Sequence, residues 1–596
     1  MSMENLGPYT NFHELNQDWF LDEFNKVIAQ WKAMQKNFDN LQDAFNDLKS
    51  YVQDYFKNLN VQEEINNKLN EMFENGTILQ IFTESTIPYV MPKWYGAKGD
   101  GITDDSDAIE EAGKHGIIWD EFNTFLINKN IELKYGSINT KYKILSNKNI
   151  NLKGKVFTGN TIINTGDHDT TRGTYALICD TSNANISHNV FKGMKNAIHS
   201  NFTENMKITE NIFDTLIQTN VNGYGIVLNS CKNTIISNNV FNNVDRHCIY
   251  LTVEEESSGC ENCIINSNIF IRTAQVLASG YDTFIQTRNA KNITINNNTF
   301  KGGSNALIVI GQLSGSDKKS ENIYFNNNKL IDMVNNKRPN IDGCIQTISE
   351  NNGTVDNIII NDNIINTLNV AFIKISTKTH INIYRNIFTT DQSTTIIIDS
   401  SAYETNIKYN KIKITDNTIE SARFIKIEPS CTDITRINIE NNDITCNGLF
   451  NSDGAQNITT LSIKNNNITT NNDYHFLTTC NITNVYVDKN ISNKNIYCRT
   501  KSVTNYYLYD GTNNVTFCDN LKDLTKIIKP VLYGNGINSE NYLPDSIYKI
   551  VVTSFNDLPR KNVKPNTILH VYDKNVSKSV YYIYSGSDWL ELKAEA

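Results

Sequence analysis

The longest pattern in the sequence is a loose repeat over residues 180–495, in which polar and apolar positions alternate ahead of an asparagine and one more apolar residue. The segments "NTIISNNVF" and "NITINNNTF" show it clearly. The asparagines at corresponding positions are 28, 29, 30 and 30 residues apart, and they are Asn211, Asn239, Asn268, Asn298 and Asn328. Alternation with a period of two is typical of strands, and a repeat of this length is typical of a solenoid. The pattern therefore predicts a parallel β-helix with one coil per repeat.

The repeated asparagine has a physical role in such a fold. It is expected where the chain turns between strands, because asparagine tolerates the left-handed backbone conformation. Stacked asparagine amides can also hydrogen-bond to one another along the axis. A β-sandwich is the alternative all-β fold, but its strands would not repeat at this interval with asparagine in one phase.

A second pattern covers residues 20–59, where apolar residues recur every seven positions in two series. The first series is Phe24, Trp31, Phe38, Phe45, Val52 and Leu59. The second series is Phe20, Val27, Met34, Leu41, Leu48 and Tyr55. These are the a and d positions of a coiled coil, and the stripe is narrower than that of a helix packed on its own domain. The pattern favours a self-associating stalk, with a single packed helix as the alternative.

Between the stalk and the repeats lies the acidic segment "WYGAKGDGITDDSDAIEEAGKHG", residues Trp94–Gly116. Its aspartates could belong to an active site or a calcium site, and they are Asp100, Asp104, Asp105 and Asp107. Thr103 or Asp104 could instead cap a helix, and further acids in the first turn would complement its dipole. The buried stripe of that helix would be Ala108, Ile109 and Ala112. A structural cap is the favoured interpretation.

This acidic segment closely resembles the N-terminal signature of the pectate-lyase-like superfamily of right-handed parallel β-helix proteins, which includes phage tailspikes. There the segment leads into a short amphipathic helix that caps the first coil. The N-terminal "NFHELNQDWFLDEFNKVIAQW" also resembles the attachment segment of appendage proteins from small tailed phages of Gram-positive bacteria. The C-terminal "YYIYSGSDWLEL" is similar to small β modules at the distal ends of phage fibres.

These observations divide the chain into four predicted parts. Residues 1–80 form an attachment segment and α-helical coiled-coil stalk, and 81–179 form the first, capped part of the β-helix. Residues 180–498 form the parallel β-helix, and 499–596 form a small C-terminal β module. In the last part a set of aromatic residues could stack on sugars or, as we favour, form the core of a trimeric tip: Tyr581, Tyr582, Tyr584 and Trp589.

Charge and composition narrow the possible partners. The formal net charge is −9, which argues against nonspecific binding to nucleic acid or an anionic membrane. Neither a secretory signal nor an apolar run long enough to span a membrane occurs, so we expect synthesis in a host cytoplasm. The 11 cysteines include one CxxC pair, Cys260 and Cys263, and are interpreted as buried thiols. The histidines show no ligand spacing, so we expect neither a metal nor a cofactor.

The coils can be aligned through the strand that follows each asparagine turn. The segments "RHCIYLT", "DTFIQTR" and "DGCIQTIS" superpose with Ile249, Ile285 and Ile345 pointing inward. One outward column then contains Tyr250, Gln286 and Gln346, with His199 and Lys374 on flanking coils. This edge is either a glycan site or an ordinary solvated surface.

Three carboxylates lie just before these strands and are the candidate catalytic residues: Asp245, Asp282 and Asp342. One coil separates Asp245 from Asp282, or about 5 Å, which is close to the spacing of a retaining glycosidase pair. Two coils separate Asp282 from Asp342, or about 10 Å, at the wide end for an inverting pair. A neighbouring carboxylate would raise one pKa, giving an acid, and leave the other group ionised.

The candidate substrate-binding residues surround these carboxylates. Arg246, His247 and Arg288 could hold a sugar carboxylate or a phosphate, and arginine can do so bidentately. Tyr250 and Tyr281 could stack on a sugar ring. The polar residues Gln286, Gln346 and Lys374 complete the predicted site.

The resemblances imply a homotrimeric tailspike or appendage of a small podovirus that infects a Gram-positive host. The N-terminus would join collar or tail proteins of the virion, and the β-helix would engage host cell-wall glycopolymer such as teichoic acid. Two classes of function remain open, a non-enzymatic adhesin and a glycan or teichoic-acid depolymerase that uses paired carboxylates. A secreted bacterial polysaccharide lyase is a third possibility, which the missing secretion signal disfavours.

Overall fold

The structure is a computed structural model, and it describes part of the chain. The described residues are 25–26, 28–29, 32–33, 36, 40–53, 71, 89–119, 123–146, 148–164, 175–216, 223–253, 258–272, 283–303, 308–312, 319–334, 343–349, 354–368, 371–377, 379–390, 394–399, 408–428, 431, 433–452, 457–471, 474–476, 481–493, 496–498, 502–509, 527–533, 547–552, 568–573, 578–584 and 587–592. The chain divides into two compact units, Met1–Ile87 and Pro88–Ala596.

The first unit contains an α-helix over residues 40–53, inside the region of heptad spacing. Of the predicted seam residues, Leu41 and Leu48 are 42% and 49% exposed, and Phe45 and Val52 are half-buried. The other seam residues lie outside the described residues. An apolar stripe left partly exposed by its own chain is what a self-associating stalk requires, but the coiled coil and its trimeric state stay predictions.

The second unit begins with short elements that close one end of a β-helix. A 3-10 helix covers Pro92–Tyr95 and an α-helix covers Ser106–His115. The strands of this region are Tyr89–Val90, Asp100–Asp104, Ile117–Ile118, Thr124–Ile127, Gly136–Ser146 and Val156–Ile163. The predicted buried stripe of the α-helix is confirmed, because its buried residues include Ala108, Ile109 and Ala112.

The start of this α-helix differs from the prediction. Asp105 holds the position before the first helical residue, so the caps predicted at Thr103 or Asp104 are too early. The Asp105 carboxylate is not free to cap, because it accepts hydrogen bonds from the backbone N–H groups of Lys98 (2.7 Å) and Gly99 (3.1 Å). The Asp104 carboxylate accepts from the backbone N–H of Ser106 at 3.1 Å. These aspartates therefore fix the turn and the helix start, which agrees with a structural cap.

The β-helix is built from three runs of parallel strands, which we call sheets one, two and three, and most coils contribute one strand to each. Sheets one and two share the early strand Val156–Ile163, which pairs with Asn185–Ser187 and with Val190–Lys192. Sheet one contains Asn185–Ser187, Lys207–Thr209, Ile235–Ser237, Ile264–Asn266, Lys291–Asn296, Ser320–Asn326, Val355–Asn361, His380–Tyr384, Lys408–Thr415, Asp433–Glu440, Asn457–Lys464, Asn481–Asp488, Ser502–Tyr509 and Ile527–Tyr533. Sheet two contains Val190–Lys192, Ile212–Leu216, Val240–Val244, Ile269–Arg272, Thr299–Gly302, Lys329–Val334, Ile364–Leu368, Ile387–Thr390, Thr418–Ser421, Asp443–Cys446, Asn467–Thr470 and Ile491–Ser492.

Sheet three lies across the core from the other two and carries the candidate site. Its 13 strands are Ile131–Leu133, Ile150–Leu152, Leu177–Cys179, Asn196–Asn201, Tyr224–Asn229, His247–Thr252, Thr283–Arg288, Ile308–Gln312, Gly343–Ser349, Ala371–Ile375, Thr394–Ile398, Arg423–Ile427 and Phe450–Ser452. Consecutive strands pair in parallel from coil to coil, for example Ile249 with Ile285. The register confirms the predicted parallel β-helix, while its right-handed sense stays a prediction.

Two shorter groups of strands complete the described structure. Tyr474–Phe476 pairs in parallel with Ile496–Cys498. A four-stranded C-terminal sheet contains Ile547–Val552, Ile568–Asp573, Lys578–Tyr584 and Trp589–Leu592. The Trp589 side chain is buried in this chain, so it belongs to the core of the module and not to an open sugar-stacking surface.

The β-helix core contains aromatic and amide stacks along its axis. The rings of Phe213, Phe241 and Phe270 are stacked with centroids 4.6 and 4.9 Å apart. Among the described residues, the buried asparagine ladder has 13 members, which are Asn160, Asn189, Asn211, Asn239, Asn268, Asn298, Asn328, Asn363, Asn386, Asn417, Asn442, Asn466 and Asn490. Each side-chain amide donates to the side-chain carbonyl of the next member, so the predicted stacking is confirmed.

The turn itself differs from the prediction by one residue. The left-handed conformation belongs to the residue before the ladder asparagine, for example Asn238 with φ of 56° ahead of Asn239. At other coils the same position is taken by Glu210, Arg385 or Lys489. The ladder asparagine is instead selected by its buried hydrogen bonds, which no other residue type could make at that site.

A second, exposed ladder runs along the corner between sheet three and sheet one. Its members all have positive φ, and they are Asn183, Asn205, Asn233, Asn262, Asn292, Asn322 and Asn357. Five of these asparagines are each preceded by a charged residue, and the sign of the charge alternates from coil to coil. The charged residues are Glu204, Lys232, Glu261, Lys291 and Glu321. Two of the ion pairs are Lys232 with Glu261 at 3.6 Å and Lys291 with Glu321 at 3.0 Å.

Candidate functional site

The outer face of sheet three holds most of the predicted site residues. The strand register stacks one column in the order His199, Val227, Tyr250, Gln286, Val309, Gln346 and Lys374. The column of isoleucines one residue away, which includes Ile249, Ile285 and Ile345, is fully buried in the core. The alignment of coils made from the sequence is therefore confirmed, including the extra coil between Gln286 and Gln346.

Several residues of this column are more enclosed than a solvated surface would be. Gln286, Gln346 and Lys374 are only 6%, 4% and 5% exposed. The Lys374 ammonium lies 3.1 Å from a carboxylate oxygen of Asp399. Buried polar groups need such partners, so this face is an ordered polar network, and the solvated-surface alternative is wrong for these residues.

His247 is the centre of a buried hydrogen-bond network. Its Nδ1 lies 2.9 Å from the Thr283 hydroxyl. When the Gln286 amide is oriented so that its oxygen faces the donors of Arg288, its nitrogen donates to His247 Nε2 at 2.8 Å. The Gln286 side-chain carbonyl in turn accepts from Arg288 Nε at 2.9 Å and Nη2 at 3.2 Å. Because Nε2 is the acceptor, the proton of the neutral ring belongs on Nδ1, facing Thr283. Gln286 therefore fixes both the imidazole and the guanidinium.

Burial lowers the pKa of His247 well below 6.5, and the neighbouring charges of Arg246, Arg288 and Arg272 lower it further. In the unfolded chain its pKa returns to about 6.5. Below pH 6.5 the unfolded state therefore binds more protons than the folded state, so stability falls as the pH drops.

A His247→Gln variant tests this pH dependence. We expect it to lose stability less steeply than the wild type below pH 6.5, by up to about 1.4 kcal/mol per pH unit. Chemical unfolding measured from pH 7.5 to 5 checks the difference. His188→Asn is the control, because His188 is exposed and asparagine tolerates its left-handed backbone. Equal slopes for wild type and His247→Gln would contradict the neutral, buried imidazole.

Two arginines and two tyrosines form what we call the arginine–tyrosine cluster: Tyr224, Arg246, Tyr250 and Arg288. The Arg246 guanidinium lies 4.9 Å from the centre of the Tyr224 ring, and that of Arg288 lies 6.0 Å from the Tyr250 ring. The two tyrosine rings are nearly parallel, with centroids 5.9 Å apart. Guanidinium groups beside aromatic faces suit a ligand that carries anionic groups and sugar rings.

A third arginine, Arg272, supports the backbone next to the cluster. Arg272 is buried and donates to the backbone carbonyl of Val244 from Nε (3.1 Å) and Nη2 (2.7 Å). Its Nη2 also donates to the Arg246 carbonyl at 3.1 Å, and its guanidinium lies 4.7 Å from the Phe284 ring centre. Arg272 therefore holds the backbone turn that presents Arg246.

The predicted carboxylate pair is only partly within the described residues. Asp245 is half-buried, and its backbone N–H donates to the Leu216 carbonyl at 3.0 Å. Tyr281, Asp282 and Asp342 lie outside the described residues. His247 and Thr283 are the first residues of their strands, and they pair with each other. In sequence, Asp245 precedes its strand by two residues, whereas Asp282 precedes its strand by one. The two positions are therefore offset by one residue along the chain, and the pairing stays a prediction.

The register of sheet three also aligns two acidic residues outside the predicted set. Asp399 and Glu428 occupy the same position on neighbouring strands of sheet three, because the residues before them are paired. Asp399 contacts Lys374, and the Glu428 carboxylate lies 2.5 Å from the Lys426 ammonium. Extending the coil alignment downstream would have found this pair, just as extending it one coil upstream would have found Tyr224.

Within the described ranges, no group of three or more His, Cys, Asp or Glu side chains is arranged to hold a metal ion. Among those same residues, no helix has the length and apolar character needed to cross a membrane.

Comparisons with known proteins give a limited match in sequence. No protein-family model matches the chain. Over 125 residues, 20% of this chain, it is 28% identical to the pre-neck appendage proteins of Bacillus phage PZA and Bacillus phage phi29. The match covers only 14% of the length of each relative.

Among solved structures, the surface adhesin PfbA of Streptococcus pneumoniae is 16% identical, over 62% of this chain and 93% of that chain, with a TM-score of 0.38. The tailspike of E. coli bacteriophage HK620 is 10% identical, over 75% of this chain and 79% of that chain, with a TM-score of 0.41. The β-helix assignment rests on the register of this chain's own strands. In the matched segment the chain is homologous to phage pre-neck appendage proteins, which confirms the resemblance to phage appendages seen in the sequence.

Proposed function

We propose that this chain is a phage tail appendage protein that binds an anionic glycopolymer of the host cell wall at the arginine–tyrosine cluster. The observation that carries the proposal is the placement of Arg246 and Arg288 beside two stacked tyrosines on one face of sheet three. Homology to phage pre-neck appendage proteins supports the location in a virion.

The cluster is suited to a charged polymer with sugar units, such as teichoic acid. The chain as a whole carries −9, so a polyanion would be held only where positive groups are concentrated. Gln286 holds the Arg288 fork in place, so less conformational entropy is lost when an anion binds. The tyrosine rings would contribute stacking surface for a sugar.

The remaining parts of the chain have proposed roles that follow from this function. The N-terminal segment would join collar or tail proteins of the virion, and the exposed heptad stripe at Leu41 and Leu48 would assemble a homotrimer. The three β-helices of one homotrimer would each present an arginine–tyrosine cluster. Binding through several clusters at once would raise the overall affinity for a repetitive polymer.

Binding of purified protein to isolated Gram-positive cell walls tests this proposal. We expect the wild type to bind, and the Arg246→Gln/Arg288→Gln variant to bind about 100-fold more weakly, because two charge-assisted contacts would be lost. The control variant Arg385→Gln/Arg436→Gln removes the same charge from sheet one and its corner, where both arginines are exposed. It should bind as the wild type does.

The composition of the wall provides a second arm of this experiment. Walls stripped of phosphodiester-linked polymer by hydrofluoric acid should no longer bind the protein, and binding should weaken as salt increases. Unchanged binding to stripped walls, or by the Arg246→Gln/Arg288→Gln variant, would refute the proposed site.

Cleavage of the polymer is the second candidate function. It is favoured by Asp399 and Glu428, which directly follow neighbouring strands whose backbones are about 5 Å apart. A retaining glycosidase pair needs a comparable distance between its two carboxyl groups. The sequence-based candidates Asp245, Asp282 and Asp342 stay open for the same role. Soluble fragments released during the wall-binding assay would identify a depolymerase, and intact walls would identify an adhesin.

A further inference from the structure

Two cysteines occupy the same position on neighbouring coils at the corner after sheet three. Each is followed by a residue of the charged ladder, and Lys232 is bridged directly to Glu261. The Cys231 carbonyl accepts a hydrogen bond from the backbone N–H of Glu261 at 3.0 Å. Cys231 and Cys260 therefore stack one strand spacing apart, about 4.8 Å, which lies within the Cα–Cα range of disulfides.

Both thiols are fully buried. A hydrogen bond from the Cys260 thiol is the largest of the causes that lower the pKa of Cys231 to about 6. The Thr203 hydroxyl also donates to Cys231 Sγ at 3.2 Å. Burial raises the pKa of Cys260 well above its ordinary value. The pair thus combines one thiol inclined to ionise with a protonated neighbour, and the thiolate is the form that reacts.

We infer that Cys231 and Cys260 are a modification site at which oxidation forms a disulfide between successive coils. Each thiol loses one proton and one electron, and a two-electron acceptor such as a diazene or peroxide takes up both electrons. With a diazene, the Cys231 sulfur first bonds to nitrogen. The Cys260 sulfur then attacks Cys231 sulfur, and the acceptor leaves as the hydrazine.

The third cysteine of this region, Cys263, is also a neighbour of Cys260, and its thiol contributes to the raised pKa of Cys260. Its position on the coil makes it the less suitable partner. Cys263 lies three residues along the same coil as Cys260, and its Sγ is directed toward the carbonyls of Glu261 (3.5 Å) and Cys231 (3.9 Å). The coil register stacks Cys260 on Cys231 and not on Cys263. The inter-coil bond is therefore the one that the backbone is already positioned to accept.

The bond would also affect the candidate site. Cys260 Sγ lies 3.2 Å from the carbonyl oxygen of Leu228 and 3.6 Å from that of Thr252, at the ends of the strands that carry Tyr224 and Tyr250. Joining the coils here would restrain the two strands relative to each other. A protein made in a reducing cytoplasm and released into an oxidising medium would acquire this restraint only after release.

The test uses the full-length protein, before and after treatment with diamide. The protein is then quenched in acid, unfolded, labelled with N-ethylmaleimide and mapped by mass spectrometry. We expect the untreated protein to take up 11 labels, one per cysteine, and the oxidised protein to take up two fewer. A linked peptide should join Cys231 to Cys260, and dithiothreitol should restore the lost labels.

Two variants make the assignment specific. Cys231→Ser should abolish the linked peptide, whereas Cys344→Ser removes a buried thiol from another coil and should leave it unchanged. Complete labelling after diamide treatment, or a link that joins Cys263 to either partner, would overturn the inference. The wild-type map alone decides between these outcomes, so the result does not depend on how well a variant folds.

Discussion

Replacing Asn268 with alanine is expected to lower the free energy of unfolding by about 3–5 kcal/mol. Its side-chain amide donates to the Asn298 side-chain carbonyl at 3.0 Å and to the Ile236 backbone carbonyl at 2.9 Å. Its own side-chain carbonyl accepts from the backbone and side-chain N–H groups of Asn239 at 2.9 and 3.0 Å. The substitution would leave buried polar groups unpaired, which costs more than the loss of the bonds themselves.

Urea-induced unfolding followed by circular dichroism measures this change, and hydrogen exchange should show lost protection at the Asn239 amide. Asn262→Gly is the matched control, because Asn262 belongs to the exposed ladder and glycine accepts its φ of 54°. It should cost about 1 kcal/mol or less, since water replaces its bonds. Equal effects of the two substitutions would mean that the buried ladder is not a main source of stability.

Replacing Arg272 with leucine is the second substitution with a large expected effect, a loss of about 3–5 kcal/mol of stability. Leucine would retain apolar contact with Phe284 but would orphan the buried Val244 carbonyl. The Arg246 carbonyl would lose the Arg272 bond and keep only the one from the Thr283 backbone N–H at 2.8 Å. We also expect weaker binding to cell walls, because the turn that presents Arg246 would no longer be held.

The Arg272→Lys variant distinguishes the effect of the positive charge from that of the guanidinium geometry. Lysine keeps the positive charge but lacks the planar fork that reaches two carbonyls, so it should rescue stability only in part. Chemical unfolding and the wall-binding assay together provide the measurement. If Arg272→Leu were as stable as the wild type, this buried arginine would not support the corner. If the variant lost stability but bound cell walls as the wild type does, Arg272 would have no role in positioning the binding site.

The sequence predicted those parts of the fold that depend on short, repeated patterns. Period-two alternation put Ile249 and Ile285 inward and Tyr250 and Gln286 outward, and the register agrees. The asparagine period revealed the amide ladder. The left-handed residue was placed one position late, because the turn geometry admits several residue types, whereas the buried ladder admits only asparagine.

The chemistry of the candidate site was harder to predict, because it depends on contacts between coils. The sequence shows that Gln286 faces outward, but not that it joins His247 to Arg288. Arg272 was missed because its partners are backbone carbonyls in the preceding coil. Such groups leave no residue-type signal.

The alternating charges beside the exposed asparagine ladder impose a parity rule on changes in coil number. Removing one coil between Glu204 and Glu321 would bring two like charges together across one strand spacing, which is unfavourable. Removing two adjacent coils would restore opposite neighbours. The alternation ends at Glu321, which pairs with Asp356 on the next coil. Within the alternating stretch, a change of two coils preserves opposite neighbours and alters the length of the β-helix by about 10 Å.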